Sequence, residues 1–129
     1  MRFNLNELNP PAWFDHPDHE GSRICVRVLS SADLEKINQK TTKEKVEYRR
    51  GQRFEVEKID EQKRNRMTWE YCIVDWEGIY DEEGKEIPCT DENKVLLMQN
   101  APTFTSWVAD SLEQLNEDGL QRQEDAEKN

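Results

Sequence analysis

Residues 15–20, Asp-His-Pro-Asp-His-Glu, bring the two histidines of the chain together with three carboxylates. His16 and His19 stand three apart, a spacing at which two imidazoles on one helical turn can share a metal ion, with Asp15, Asp18 and Glu20 as oxygen donors nearby. Pro17 and Gly21 point to a turn rather than a helix, and no third ligand can be named from the sequence. A solvated turn is therefore expected. A second acidic group, Asp75, Glu77, Asp81, Glu82 and Glu83, lacks the alternating oxygen positions and terminal glutamate of an EF-hand loop and reads as a solvated face. Cys25, Cys72 and Cys89 are odd in number and form no Cys-x-x-Cys pair, so reduced core thiols are expected rather than a disulfide framework or a zinc site. No phosphate-binding glycine loop and no nucleophile, base and carboxylate pattern is present. The sequence thus predicts no catalytic, cofactor-binding or metal-binding residue and a protein that is not an enzyme. A metal-dependent enzyme centred on His16, Asp18 and His19 is the weakest alternative.

The elements are organised around residues 71–93. Tyr71, Ile73, Val74, Trp76 and Ile79 are expected in the core, at the buried end of a helix that Asp60 caps and that runs from Glu61 through Glu77 to Gly78. A strand over Thr68–Val74 alternates nearly as well, but the helix formers leading into it favour the helix. After an acidic turn at Gly84, Thr90 caps a helix from Asp91 to about Asn100, with Leu96 and Leu97 in the core and Pro102 as its stop. The last helix starts near Thr103 and ends at Gly119. Its stripe of Phe104, Trp107, Val108, Ser111, Leu112 and Leu115 follows three- and four-residue spacing. Upstream, Arg23–Leu29 alternates as a strand with Val26 and Val28 inward, and Ser30 or Ser31 caps a short helix to about Asn38. Residues 40–53 read as either an exposed basic hairpin arm or a disordered loop, and Phe54 and Val56 continue as a strand. The predicted class is α+β, with a small antiparallel sheet from the N-terminal half and several mostly C-terminal helices. The predicted organisation is an extended arm over residues 1–11, where Pro10-Pro11 excludes helix, one domain over residues 12–118, and a disordered acidic tail over residues 119–129.

Charge narrows the function classes. The 129 residues carry a net charge of −10, with 34% hydrophobic against 36% charged residues. Residues 35–66 hold eleven basic and seven acidic groups, whereas residues 67–129 hold four basic and sixteen acidic ones. Phosphate repulsion over most of the surface argues against nucleic acid as a partner, and the basic middle section argues against a DNA mimic. No run approaches the roughly eighteen apolar residues of a membrane span, and no basic-then-apolar signal segment opens the chain, so a cytoplasmic protein is expected.

The order IVDWEGI, an acidic turn with Gly84, IPCTDENKVLLM, and then a proline followed by Phe104 and Trp107-Val108 resembles the tail assembly chaperones of long-tailed bacteriophages and prophages. The upstream Trp13-Phe14 pair and RICVRVLS fit the same pattern, so the likeness spans roughly residues 12–115. It implies a small sheet packed with helices and a cytoplasmic role in the bacterial host. There the protein would bind the apolar, helical tape measure protein and present it to tail tube subunits. On that reading Phe104, Trp107, Val108, Leu112 and Leu115 offer a partner surface, with Leu115 the most exposed. The alternative is a structural head or tail component retained in the virion.

Overall fold

The computed structural model describes residues 1–127, and side chains over residues 1–119. Two compact units divide the chain: residues 1–28 together with 69 onward, and residues 29–68 between them. The single domain expected over residues 12–118 is thus interrupted by an insertion of its own.

The first unit is built on a three-stranded antiparallel sheet in the order β1, β2, β5, from β1 (Ala12–Asp15), β2 (Arg23–Val26) and β5 (Ile73–Glu77). Ile24 lies opposite Trp76 and Val26 opposite Ile73, so these four residues share one face. All four are buried. Between Cys25 and Val26 the register shifts past one extra residue of β5, Val74. That bulge breaks the two-residue alternation of β5 and puts Ile73 and Trp76, three apart, into the same core. It also turns Val74 outward, 38% exposed, where the sequence predicted core.

This strand is the main correction to the sequence reading. Helix α2 (Glu61–Cys72) stops at Cys72 and β5 follows at once, so Glu61–Glu77 is not one helix. Asp60 does cap α2, its Oδ1 accepting from the Lys63 amide at 3.2 Å. Gly78 has a positive φ of 70°, as expected, but it ends a strand and not a helix.

Helices α3 (Asp91–Asn100) and α4 (Pro102–Glu127) complete the first unit. Thr90 caps α3 by accepting from the Asn93 amide at 3.2 Å, and Ala101, ahead of a proline, is extended. Leu97 is half-buried, whereas Leu96 is 57% exposed and so not core. A lysine takes the inward position instead: Lys94 is buried, with Nζ donating to the Glu70 carbonyl at 3.3 Å and to Asp91 Oδ1 at 3.2 Å. Pro102 opens α4, where its missing amide costs no helical hydrogen bond. The helix continues through Gly119, the expected stop, to Glu127. The last two residues of the predicted tail lie outside the described residues.

The inserted unit holds α1 (Ser31–Thr41), the antiparallel pair β3 (Thr42–Arg49) and β4 (Gln52–Ile59), and the start of α2. Ser30 caps α1 by accepting from the Asp33 amide, and the helix runs three residues beyond the predicted Asn38. Residues 40–53 are not a disordered loop. Lys40 and Thr41 close α1, and residues 42–53 form most of a regular hairpin whose two-residue turn, Arg50-Gly51, has positive φ at both positions (52° and 77°). Such turns match the twist of the strands they join.

Candidate partner-binding surfaces

The α4 stripe proposed as a partner surface is the first unit's own core. Phe104, Trp107, Val108 and Leu115 are buried in one cluster with Ile24, Val26, Ile73 and Trp76, and Leu112 packs against it half-buried. Leu115, expected to be the most exposed, is 6% exposed. Helical spacing identifies the inward stripe of α4 correctly, but spacing is the same whether a helix buries its stripe in its own domain or keeps it for another. Val28 and Ile79 are partly buried against the same core, and Tyr71 is partly buried with the Arg27 guanidinium 3.9 Å from its ring centre.

The histidine cluster sits in the β1–β2 turn. The Asp18 amide donates to His16 Nδ1 at 3.0 Å, which occupies that lone pair and leaves the ring proton on Nε2 in neutral imidazole. The His16 ring packs on His19 (centroids 4.6 Å apart) and on the edge of Trp107 (4.8 Å). The turn is therefore docked on α4 and not merely solvated. With Asp18, Thr103 and Asp110 these rings line an open cleft of about 590 Å³. Among the described residues, no three His, Cys, Asp or Glu side chains converge as metal ligands.

Two of the three thiols, Cys89 and Cys25, are held away from reactivity. Burial pushes the Cys89 thiol up to about 11, with Asp75 and Asp91 adding to the rise and Lys94 opposing it, and burial likewise raises Cys25 beside Asp75. A thiol of that pKa carries almost no thiolate at neutral pH. Because the folded value of Cys89 lies above the ordinary 9.0, the stability it contributes is fully present below about pH 9 and is lost as pH rises toward 11. Alkylation of the native protein with iodoacetamide at pH 7.5 is expected to label Cys89 far more slowly than in urea. Equal rates in the two states would show that the thiol is not shielded.

The first unit leaves its N-terminal arm uncovered. Met1, Phe3, Leu5 and Leu8 are 71%, 58%, 83% and 64% exposed. The base of the arm is fixed at Asn9, whose Nδ2 donates to the Val28 carbonyl at 2.7 Å. Phe3 and Leu8 line a groove of about 310 Å³ together with Val28 and Leu115. The expected extended arm over residues 1–11 carried no apolar side in the sequence analysis. The missed signal is the alternation of Met1, Phe3 and Leu5 with Arg2, Asn4 and Asn6.

In the inserted unit, the hairpin carries apolar side chains on both faces with neither covered. Val46, Tyr48 and Ile59 are 40%, 73% and 42% exposed on one face, and Phe54 is 43% exposed on the other. A two-stranded hairpin exposed on both sides is marginally stable in water by itself. Charge pairs knit its surface: Lys58 Nζ lies 2.7 Å and Arg49 3.2 Å from Glu47, and both hold that carboxyl below its usual range.

Comparison with protein families matches the model described as YdaY prophage protein over residues 27–129. The chain belongs to the YdaY prophage protein family. The match takes in the inserted unit, β5, α3 and α4, and leaves out the arm, β1 and β2. The expectation of a phage or prophage origin holds, at the level of a prophage family and not of tail assembly chaperones in particular. Neither the curated proteins nor the solved structures include a match to this YdaY-family chain.

Proposed function

We propose that this YdaY-family protein is a non-catalytic assembly factor that works in the host cytoplasm as a tail assembly chaperone. It would hold the apolar helical tape measure protein and hand it to tail tube subunits. The observation that carries the reading is the arm, which keeps four large apolar side chains in water at the edge of a unit otherwise rich in charge. Each such side chain gains about 1.5–3 kcal/mol when a partner covers it fully, so an arm of four supplies a useful hold on an apolar helix. The surrounding carboxylates keep such a complex soluble. Membership of a prophage family and the resemblance over residues 12–115 support the same reading.

Co-expression with a tape measure fragment tests it. The expected outcome is a soluble complex that co-purifies with the wild-type protein, and a several-fold lower yield of complex with Phe3→Ser and Leu5→Ser combined. If the fragment stays insoluble with the wild type, the chaperone reading fails. If the double variant retains it fully, the arm is not the holding surface.

A further inference from the structure

The two faces of the β3–β4 hairpin carry opposite charge. Paired residues of an antiparallel hairpin share a face, so the unbroken register from Thr42↔Ile59 to Arg49↔Gln52 sorts every side chain. One face bears Lys43, Lys45, Arg49 and Lys58 against Glu47 and against Asp60, whose carboxylate lies 3.1 Å from Lys43 Nζ, a net +2, around Phe54 and Val56. The other bears Glu44, Glu55 and Glu57 against Arg53, a net −2, around Val46, Tyr48 and Ile59. Each is an apolar patch framed by a net charge of one sign, and both are open to water.

We infer that the hairpin is a self-association module, in which the basic face of one copy stacks on the acidic face of a second. Charge decides among the possible stackings. Two basic faces or two acidic faces meeting across a two-fold axis would oppose like charges, whereas basic on acidic pairs them while Phe54 and Val56 cover Val46, Tyr48 and Ile59. Nucleic acid is a poorer occupant of the basic face, because Glu47 stands among its cations and already engages Lys58 and Arg49. Stacking also covers faces that leave a lone hairpin marginal. Because the contact joins two different surfaces, it is heterologous and propagates: copies add until a ring closes or an open stack grows.

The test is sedimentation of the full-length chain. The average mass is expected to rise with concentration beyond the 15.3 kDa monomer, passing the dimer. It should fall as salt shortens the Debye length from about 10 Å at 0.1 M to about 3 Å at 1 M. Glu44→Lys with Glu57→Lys makes both faces basic, and Lys45→Glu with Lys58→Glu makes both acidic. Each double variant alone is expected to remain monomeric, with circular dichroism confirming its fold, and an equimolar mixture is expected to regain the wild-type association. A wild-type chain that stays monomeric at every concentration and salt overturns the inference. So does association that stops at the dimer, a folded double variant that associates as the wild type does, or a mixture that stays monomeric. Should either variant fail to fold, the wild-type salt and concentration series still decides.

Discussion

Trp76→Ala is expected to cost about 3–5 kcal/mol, the range for removing a buried tryptophan, and so to leave the first unit largely unfolded. The side chain is 4% exposed and meets the core in three ways. It stands opposite Ile24 across the β2–β5 ladder, lies edge-on to Phe104 at 5.5 Å between ring centroids, and donates from Nε1 to the Ile87 carbonyl at 2.7 Å. Alanine would open a cavity between sheet and α4 and also leave the Ile87 carbonyl short of that donor. A domain of this size has about 5–15 kcal/mol in total. Urea denaturation followed by near-ultraviolet circular dichroism measures the loss, with Leu96→Ser as the control, since Leu96 is mostly exposed and its replacement should shift stability by about 0.5 kcal/mol or less. If Trp76→Ala costs no more than Leu96→Ser, the core is not where this structure places it.

Gly78→Ala is the second large effect, and its cause is backbone, not packing. A Cβ at Gly78 would lie 2.1 Å from the Gly21 carbonyl oxygen, 2.8 Å from its carbon and 3.1 Å from Ser22 Cα. None of these atoms can rotate away. The turn that carries them is tied down on both sides: the His16 amide donates to the Ser22 carbonyl at 2.8 Å, and Ser22 Oγ donates to the Gly78 carbonyl at 2.7 Å. The positive φ alone costs an L-residue about 1–2 kcal/mol, and displacing the β1–β2 turn raises the expected total to about 3 kcal/mol or more. Gly84 supplies the comparison. Its φ is 79°, yet a Cβ there meets nothing within 4 Å, so Gly84→Ala should cost only the conformational part. Equal melting temperatures for the two variants would refute the close approach of residues 78 and 21.

Local chemistry made much of this chain readable in advance. Ser30, Asp60 and Thr90 cap their helices because a short oxygen side chain ahead of a periodic segment satisfies amides that no backbone carbonyl reaches. The α4 stripe and the inward side chains of β2 follow from periodicity, with Ile24 and Val26 buried, whereas Ile73 and Trp76 are core as expected but on a strand and not on a helix. The α+β class follows from those elements. The residues that could have carried metal or thiol chemistry, His16, His19 and the three cysteines, were also visible.

Tertiary structure decided the rest. The alternation that competes with the helix in sequence covers residues 68–74, yet the strand that forms is 73–77, selected by pairing with β2, where Ile24 and Val26 offer an apolar face and open backbone groups. The bulge at Val74 depends on that pairing, so the outward turn of Val74 had no sequence signature. Leu96 and Leu115 are both leucines at plausible core positions, and only the placement of α3 and α4 against the sheet exposes one and buries the other. The same holds for the division into two units, since a 40-residue excursion from β2 back to β5 appears in sequence as more chain of the same kind. Sequence alone specified which residues are apolar, charged or cap-forming. Which apolar faces found a neighbour, and which the arm and the hairpin still present to water, is a property of contacts between segments far apart in the chain.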